Sequence, residues 1–223
     1  MAVANGKKSI VVIGAIALLL GCSEPNEPTI EFYLAVQRGD IDQMERHIHW
    51  GVDLNALDVD GATPLHTAAR QGQSVVVQLL LQHGADPNGL DREGHTPLHD
   101  AVLIGRTRVA DLLLAAGAQI DPDALLRAAV ASEMQDRNIA AWLAAQGADF
   151  DHYDEEGKTP LIRAVIRNNR ITTRLLIEHG ANVNHPDAAG RRPLDYVDPE
   201  TMAFVYRVLR QHGAARTAAS DDR

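Results

Sequence analysis

Six glycines, Gly51, Gly84, Gly117, Gly147, Gly180 and Gly213, recur at spacings of 33, 33, 30, 33 and 33 residues. Each closes a stretch of helically spaced apolar residues and is followed by Ala or Val. A fixed period of about 33 marks stacked units rather than one wound globule, because each copy is too small to bury its own apolar face and must cover it with a neighbour. A second landmark keeps the same step: Thr63-Pro64-Leu65-His66, Thr96-Pro97-Leu98-His99, Thr159-Pro160-Leu161-Ile162 and Arg192-Pro193-Leu194-Asp195.

The most regular copy shows what one unit should be. Thr63 is placed to cap a helix with its hydroxyl, and Pro64 takes the first helical position, where a missing N–H costs nothing. Leu65, Ala68 and Ala69 then share one face. Gly72 can end this helix in a left-handed conformation, and Gly39, Gly105 and Asn168 stand at the matching positions. A second helix puts Val76, Leu79 and Leu80 inward before Gly84. From Ala85 to Gly94 follow turn-forming residues rich in Asp, Asn, Pro and Gly.

On these residues the chain resembles the ankyrin-repeat family over 29–215. The resemblance implies an all-α solenoid of about six helix-turn-helix repeats with projecting hairpin fingers. The first repeat, from about Thr29, uses Phe32, Leu34 and Ala35 in place of the Thr-Pro start, as a terminal cap would. Repeats two (58–90), three (91–120) and five (154–186) are regular, and the sixth carries Val205, Val208 and Leu209 before Gly213. The fourth departs. Only 8 positions separate Gly117 from Leu125, against 14 between Gly84 and Leu98, so its finger should be largely deleted. Between Ala129 and Gly147 there are 18 positions instead of the 15 from Ala69 to Gly84, so its inter-helix turn should be longer.

The beginning of the chain reads differently. Lys7 and Lys8 precede an apolar run from Ile10 to Leu20, too short to span a bilayer but suited to the core of a secretory signal. Leu19-Leu20-Gly21-Cys22 resembles a bacterial lipobox, and Cys22 is the single cysteine of the chain. The resemblance implies a lipoprotein signal peptide over 1–21, lipid attachment at Cys22 and a polar tether over 22–28. An ordinary cleaved signal with a free thiol and an uncleaved short anchor are the alternatives. Several acyl chains on one cysteine would anchor the protein permanently. With Ser23 rather than Asp after the cysteine, the expected address is the periplasmic face of the outer membrane. The tail over 216–223 is polar and expected to be disordered.

Charge narrows the function classes. The chain carries 21 basic and 30 acidic side chains, and removing Lys7 and Lys8 with the leader leaves a net charge of −11. Such a surface repels phosphate, so no nucleic acid is expected as partner. Catalytic residues, cofactors and metal sites are not expected. His66 and His99 fall where the family uses imidazole for structural hydrogen bonds, and His83, His179 and His212 suit helix C-termini. His95 and His99 are four apart, but the helix start at Thr96-Pro97 lies between them, so they should not form a helical metal pair. Asp58, Asp60 and Gly61 look like the start of a calcium loop, yet Ala69 occupies the twelfth position, where that loop needs glutamate. Gly-x-Ser-x-Gly and Gly-rich phosphate loops are absent.

What remains is a binding surface. By the family's geometry, finger tips and the concave face of the first helices meet a partner. Mapped by repeat phase, these positions hold Leu57, Val59, Asp60, Ala62 and Arg70, then Leu90, Arg92, Glu93, His95, Leu103 and Ile104, and in repeat five Tyr153, Glu155, Lys158, Ile166 and Arg167. A strip of apolar side chains at solvent-facing sites argues for burial against another protein, although scattered exposed leucines are ordinary. The sequence therefore points to a monomeric, membrane-tethered adaptor or scaffold with a periplasmic protein partner. The alternative is an immunity-type inhibitor of an exported toxin or effector.

Overall fold

The computed structural model describes residues 26–217. The expected signal peptide, Cys22 and most of the expected tether lie outside the described residues, as does the tail beyond 217. Among the described residues there are eleven α-helices and one 3-10 helix, with no strand. None of these helices is long and apolar enough to cross a membrane. The chain divides into two compact units, Met1–Asp53 and Leu54–Arg223.

The first unit is a helix pair, α1 (Phe32–Arg38) and α2 (Ile41–His49), with Phe32, Ala35, Val36 and Met44 buried. Gly39 ends α1 with φ 66°, and Asp40 caps α2 by accepting from the Gln43 amide at 3.1 Å. His47 Nε2 reaches the Ile30 carbonyl at 2.6 Å. Leu34 is only half-buried.

The second unit holds α3 (Pro64–Gln71), α4 (Ser74–Gln82), α5 (Pro97–Leu103), α6 (Thr107–Ala115), α7 (Pro122–Ala131), α8 (Arg137–Ala145), α9 (Pro160–Ile166), α10 (Arg170–Glu178), the 3-10 turn Pro193–Tyr196 and α11 (Ala203–Gln211). First helices pack in one row, α3 on α5, α5 on α7, α7 on α9 and α9 on the 3-10 turn. Second helices form the other row, α4 on α6 on α8 on α10 on α11. The repeat leucines meet between the rows: Leu65, Leu98, Leu161 and Leu194 from the first, and Leu80, Leu113, Leu143, Leu176 and Leu209 from the second, none more than 2% exposed. Trp142 is buried and donates Nε1–H to Asp111 at 2.7 Å.

Thr63, Thr96 and Thr159 each cap their helix by accepting from the third residue on, and Gly72, Gly105 and Asn168 take φ of 72°, 77° and 52°. The sixth repeat differs. Its first helix shrinks to one 3-10 turn, because Pro199 follows closely and the residue before a proline is steered away from helix. The fourth repeat passes from α6 to α7 without a finger, and Glu133 takes φ 56° in its lengthened turn.

Each finger is closed by an aspartate side chain beside one backbone bond across its base, from Asp58, Asp91, Asp154 or Asp187 N–H to the carbonyl four residues on, at 2.7 to 2.9 Å. Asp58, Asp91, Asp154 and Asp187 each accept two amides of their own turn at 2.8 to 3.0 Å. Adjacent fingers join at one backbone bond, from Arg92 N–H to the Gly61 carbonyl and from Ala188 N–H to the Gly157 carbonyl, both 2.8 Å.

Candidate functional site

The strip mapped by repeat phase lies within the second unit. Leu57, Leu90 and Tyr153 share one phase at the finger roots, and all three are exposed. Ile104 and Ile166 are exposed at the ends of α5 and α9, and Val59 at a finger tip is 90% exposed. Two expectations are corrected. Leu103 is half-buried where it lines a cleft with the lengthened turn of repeat four, whereas Ile166 at the same phase is exposed, and Ala62 is 2% exposed, its amide closing the Asp58 turn from inside. Val75 and Ile171, outside the expected strip, are exposed as well, at one phase near the starts of α4 and α10.

The charged members of the strip divide by what holds them. Asp60, Glu93 and Glu155 are exposed at the tips. Arg92 is tied down, its guanidinium reaching the Val59 carbonyl at 3.3 Å. Lys158 pairs with Glu156 at 2.8 Å and is largely covered. Arg167 donates to the Val130 and Ala131 carbonyls at 3.2 and 3.1 Å, the open C-terminus of α7. Arg70 bridges Asp91 at 2.8 Å and Asp100 at 2.7 Å, which makes it a lock between repeats two and three. Burial alone would raise the Asp91 carboxyl, but the His95 and Glu93 amides hold it below the ordinary value.

His66 does what the resemblance implied. Its Nδ1 faces the Thr63 hydroxyl at 2.7 Å and the Thr63 amide at 3.3 Å, so the proton belongs on Nε2, which donates to the His95 carbonyl of the next finger at 3.0 Å. His99 does not. The finger that it would reach is missing, its Nδ1 is buried without a hydrogen-bond partner, and its ring stacks on His95 at 4.0 Å. The intervening helix start thus does not separate the two rings. His95, His99 and Asp100 bring one ligand atom each within 4.8 Å of one another, the donor set that a metal ion would use. The fixed guanidinium of Arg70 already neutralises Asp100 there. His179 and His212 turn Nδ1 onto the carbonyls of Leu175 and Val208 at 2.8 and 2.9 Å, satisfying helix C-termini.

The family model for ankyrin repeats matches residues 32–124 and 126–197. The chain belongs to the ankyrin-repeat family, whose fold is typically a non-catalytic interaction module. Among solved structures it is similar to the ankyrin-repeat domain of Bcl-3, a member of the IκB family, with TM-score 0.67 and 30% identity over 85% of this chain and 89% of that one. It is similar too to a chain in the structure of the Bd0816 predatory endopeptidase from Bdellovibrio bacteriovorus in complex with the immunity protein Bd3460, with TM-score 0.61 and 24% identity over 81% and 96% of the two chains. A stretch of 48 residues is 46% identical to the 60 kDa lysophospholipase of Mus musculus, covering 22% of this chain and 8% of that protein.

Proposed function

We propose that this chain is a non-catalytic adaptor or scaffold, tethered by lipid at Cys22 to the periplasmic face of the bacterial outer membrane, that holds another protein at that surface. The observation that carries the reading is the recurrence of exposed apolar side chains at one repeat position, Leu57, Leu90 and Tyr153 at the finger roots, with Ile104 and Ile166 exposed beside them at the ends of two first helices. Water-facing apolar groups held in phase by a rigid stack are a surface waiting for a partner. The lipobox-like Leu19-Leu20-Gly21-Cys22 supports the tether.

Affinity capture from the native cells, with wild type beside a Leu90/Ile104/Ile166 triple alanine variant, tests the binding claim; proteins recovered equally by both argue against this face. Mass spectrometry of the mature N-terminus tests the anchor, which fails if Cys22 carries no acyl chain. A second reading, an immunity-type inhibitor of an exported toxin or effector, draws on the likeness to the structure containing an endopeptidase and its immunity protein. Nanomolar or tighter binding to one toxic partner, with loss of that partner's activity, favours inhibition; weaker binding to a resident protein favours the adaptor.

A further inference from the structure

The missing fourth finger leaves one cation without its carboxylate. In repeats three, five and six the finger aspartate uses one oxygen for its own turn and offers the other to a donor: Asp91 to Arg70, Asp154 to Arg163, and Asp187 to the Tyr196 hydroxyl. Arg163 and Tyr196 each stand two residues after the core leucine of their first helix, Leu161 and Leu194. Arg127 stands at the same phase, two residues after Leu125, but its repeat has no finger and therefore no aspartate. Among the described residues no carboxylate pairs with it; its guanidinium donates instead to His152 Nε2. With Nε2 accepting, the proton of a neutral His152 sits on Nδ1, and Nδ1 is buried without a partner.

Both residues line a cleft of about 280 Å³ between α7, the fifth finger and α9. Arg127, Lys158, Arg163 and Arg167 face Asp154 and Glu156 around it, so the cleft carries a positive excess in a chain whose formal net charge is −9. Asp154 and Glu156 are themselves engaged by Arg163 and Lys158. A carboxylate matches the forked guanidinium of Arg127, which no carboxylate of the described residues engages, and the unpartnered imidazole N–H of His152.

We propose that this cleft is a carboxylate-binding site, in which Arg127 and His152 hold an aspartate or glutamate side chain of a partner protein in the place that the deleted finger's aspartate would fill. The site rests on the reading of the chain as a protein-binding module, and it adds that the partner presents an acidic segment to the gap in the finger row. Arg127 supplies the charge and a forked donor pair. His152 supplies direction, its ring held by the Arg127 contact.

The test uses the full chain in detergent micelles and the fluorescein-labelled peptide Gly-Ser-Asp-Glu-Asp-Ser-Gly, read by fluorescence anisotropy beside the same peptide with Asn and Gln for Asp and Glu. Wild type should bind the acidic peptide at least tenfold more tightly than the amide peptide, against the repulsion of its own net charge. Arg127→Gln should abolish that preference, and Arg127→Lys should keep part of it. Arg207→Gln, which removes one exposed charge from α11, should leave it intact. Equal binding of the two peptides by wild type overturns the proposal, as does an equal fall in Arg127→Gln and Arg207→Gln. Inorganic phosphate displacing the peptide at comparable concentration also overturns it, by showing a small-anion site. Far-ultraviolet circular dichroism confirms that each variant folds, and the lysine variant decides the matter if the glutamine variant does not. Failure here leaves partner capture through Leu90, Ile104 and Ile166 unaffected, so the two readings fail separately.

Discussion

A β-carbon placed on Gly157 would lie 2.4 Å from the Cβ of Ala188, because the Ala188 amide bonds the Gly157 carbonyl at 2.8 Å and draws the fifth and sixth fingers together. Gly94 holds the same place in the third finger, with a similar φ of 83°, yet nothing lies within 4 Å of its built Cβ. The difference is the absent fourth finger.

Gly94→Ala should therefore cost only the left-handed strain, about 1 to 2 kcal/mol. Gly157→Ala carries that strain and a steric clash, which adds about 1 to 3 kcal/mol. Urea midpoints of the two variants measure the gap, and equal losses would mean that the fingers separate freely.

Truncation in the core tests the stack directly. Leu161 on α9 is fully buried between the two helix rows, so Leu161→Ala should lower stability by roughly 2 to 5 kcal/mol. An unchanged urea midpoint would contradict the packing.

The architecture was legible because the period repeats. Helix starts at Thr63, Thr96 and Thr159, stops at Gly72, Gly105 and Asn168, and the deletion in repeat four all follow from spacing and local chemistry. Side-chain consequences of the deletion were less legible. His99 carries the same tetrapeptide as His66, and only the empty space across from it shows why it stacks on His95 instead of bonding a carbonyl. Exposure at Leu103 and Ala62 was not legible, since Leu103 is covered by the lengthened turn of repeat four while Ile166 at the same phase is exposed, and Ala62 is turned inward by its own finger. Arg127 is legible in the sequence only through its match in phase to Arg163, in a repeat without a finger aspartate.

The lengthened turn of repeat four should be a weak point. Glu133 sits at φ 56° without glycine's freedom, so Glu133→Gly should stabilise by about 0.5 to 1 kcal/mol, the relief of strain exceeding the added unfolded-state entropy. Amide exchange across 131–138 should run faster than at Gly72 and Gly105 in wild type and slow in the variant. Equal protection in all three turns would show that the turn is not loose.

Acid should act through the finger aspartates. In Asp91, Asp154 and Asp187 burial pushes the carboxyl upward, but hydrogen bonds outweigh it and hold each below the ordinary carboxylate value: the turn amides at Asp91, Arg163 at Asp154 and the Tyr196 hydroxyl at Asp187. A depressed acid stabilises the fold above its unfolded value, about 4, and loses that contribution as pH falls through the folded value. Stability should thus be level near neutrality and decline below about pH 4. Asp187→Asn should flatten part of that decline; an unchanged acid limb would place the sensitivity elsewhere. On the other side of this pair, burial and then the Asp187 carboxylate push the Tyr196 hydroxyl up to about 12, so the phenol stays a donor throughout the neutral range.

Binding and stability should separate on the apolar strip. Ile104 and Ile166 are exposed, so Ala at either should change stability by no more than about 0.5 kcal/mol. If they lie at the centre of the interface, each should remove about 1 kcal/mol or more from partner binding. Leu103 beside them is half-buried, and Leu103→Asp should destabilise the fold as well, which makes it the wrong probe for the surface alone. Glu93 and Glu155 at the exposed tips should instead change the association rate and its salt dependence. Kinetic binding measurements at two ionic strengths separate these classes. A partner that binds the Ile104/Ile166 double variant as tightly as wild type would move the interface off this face.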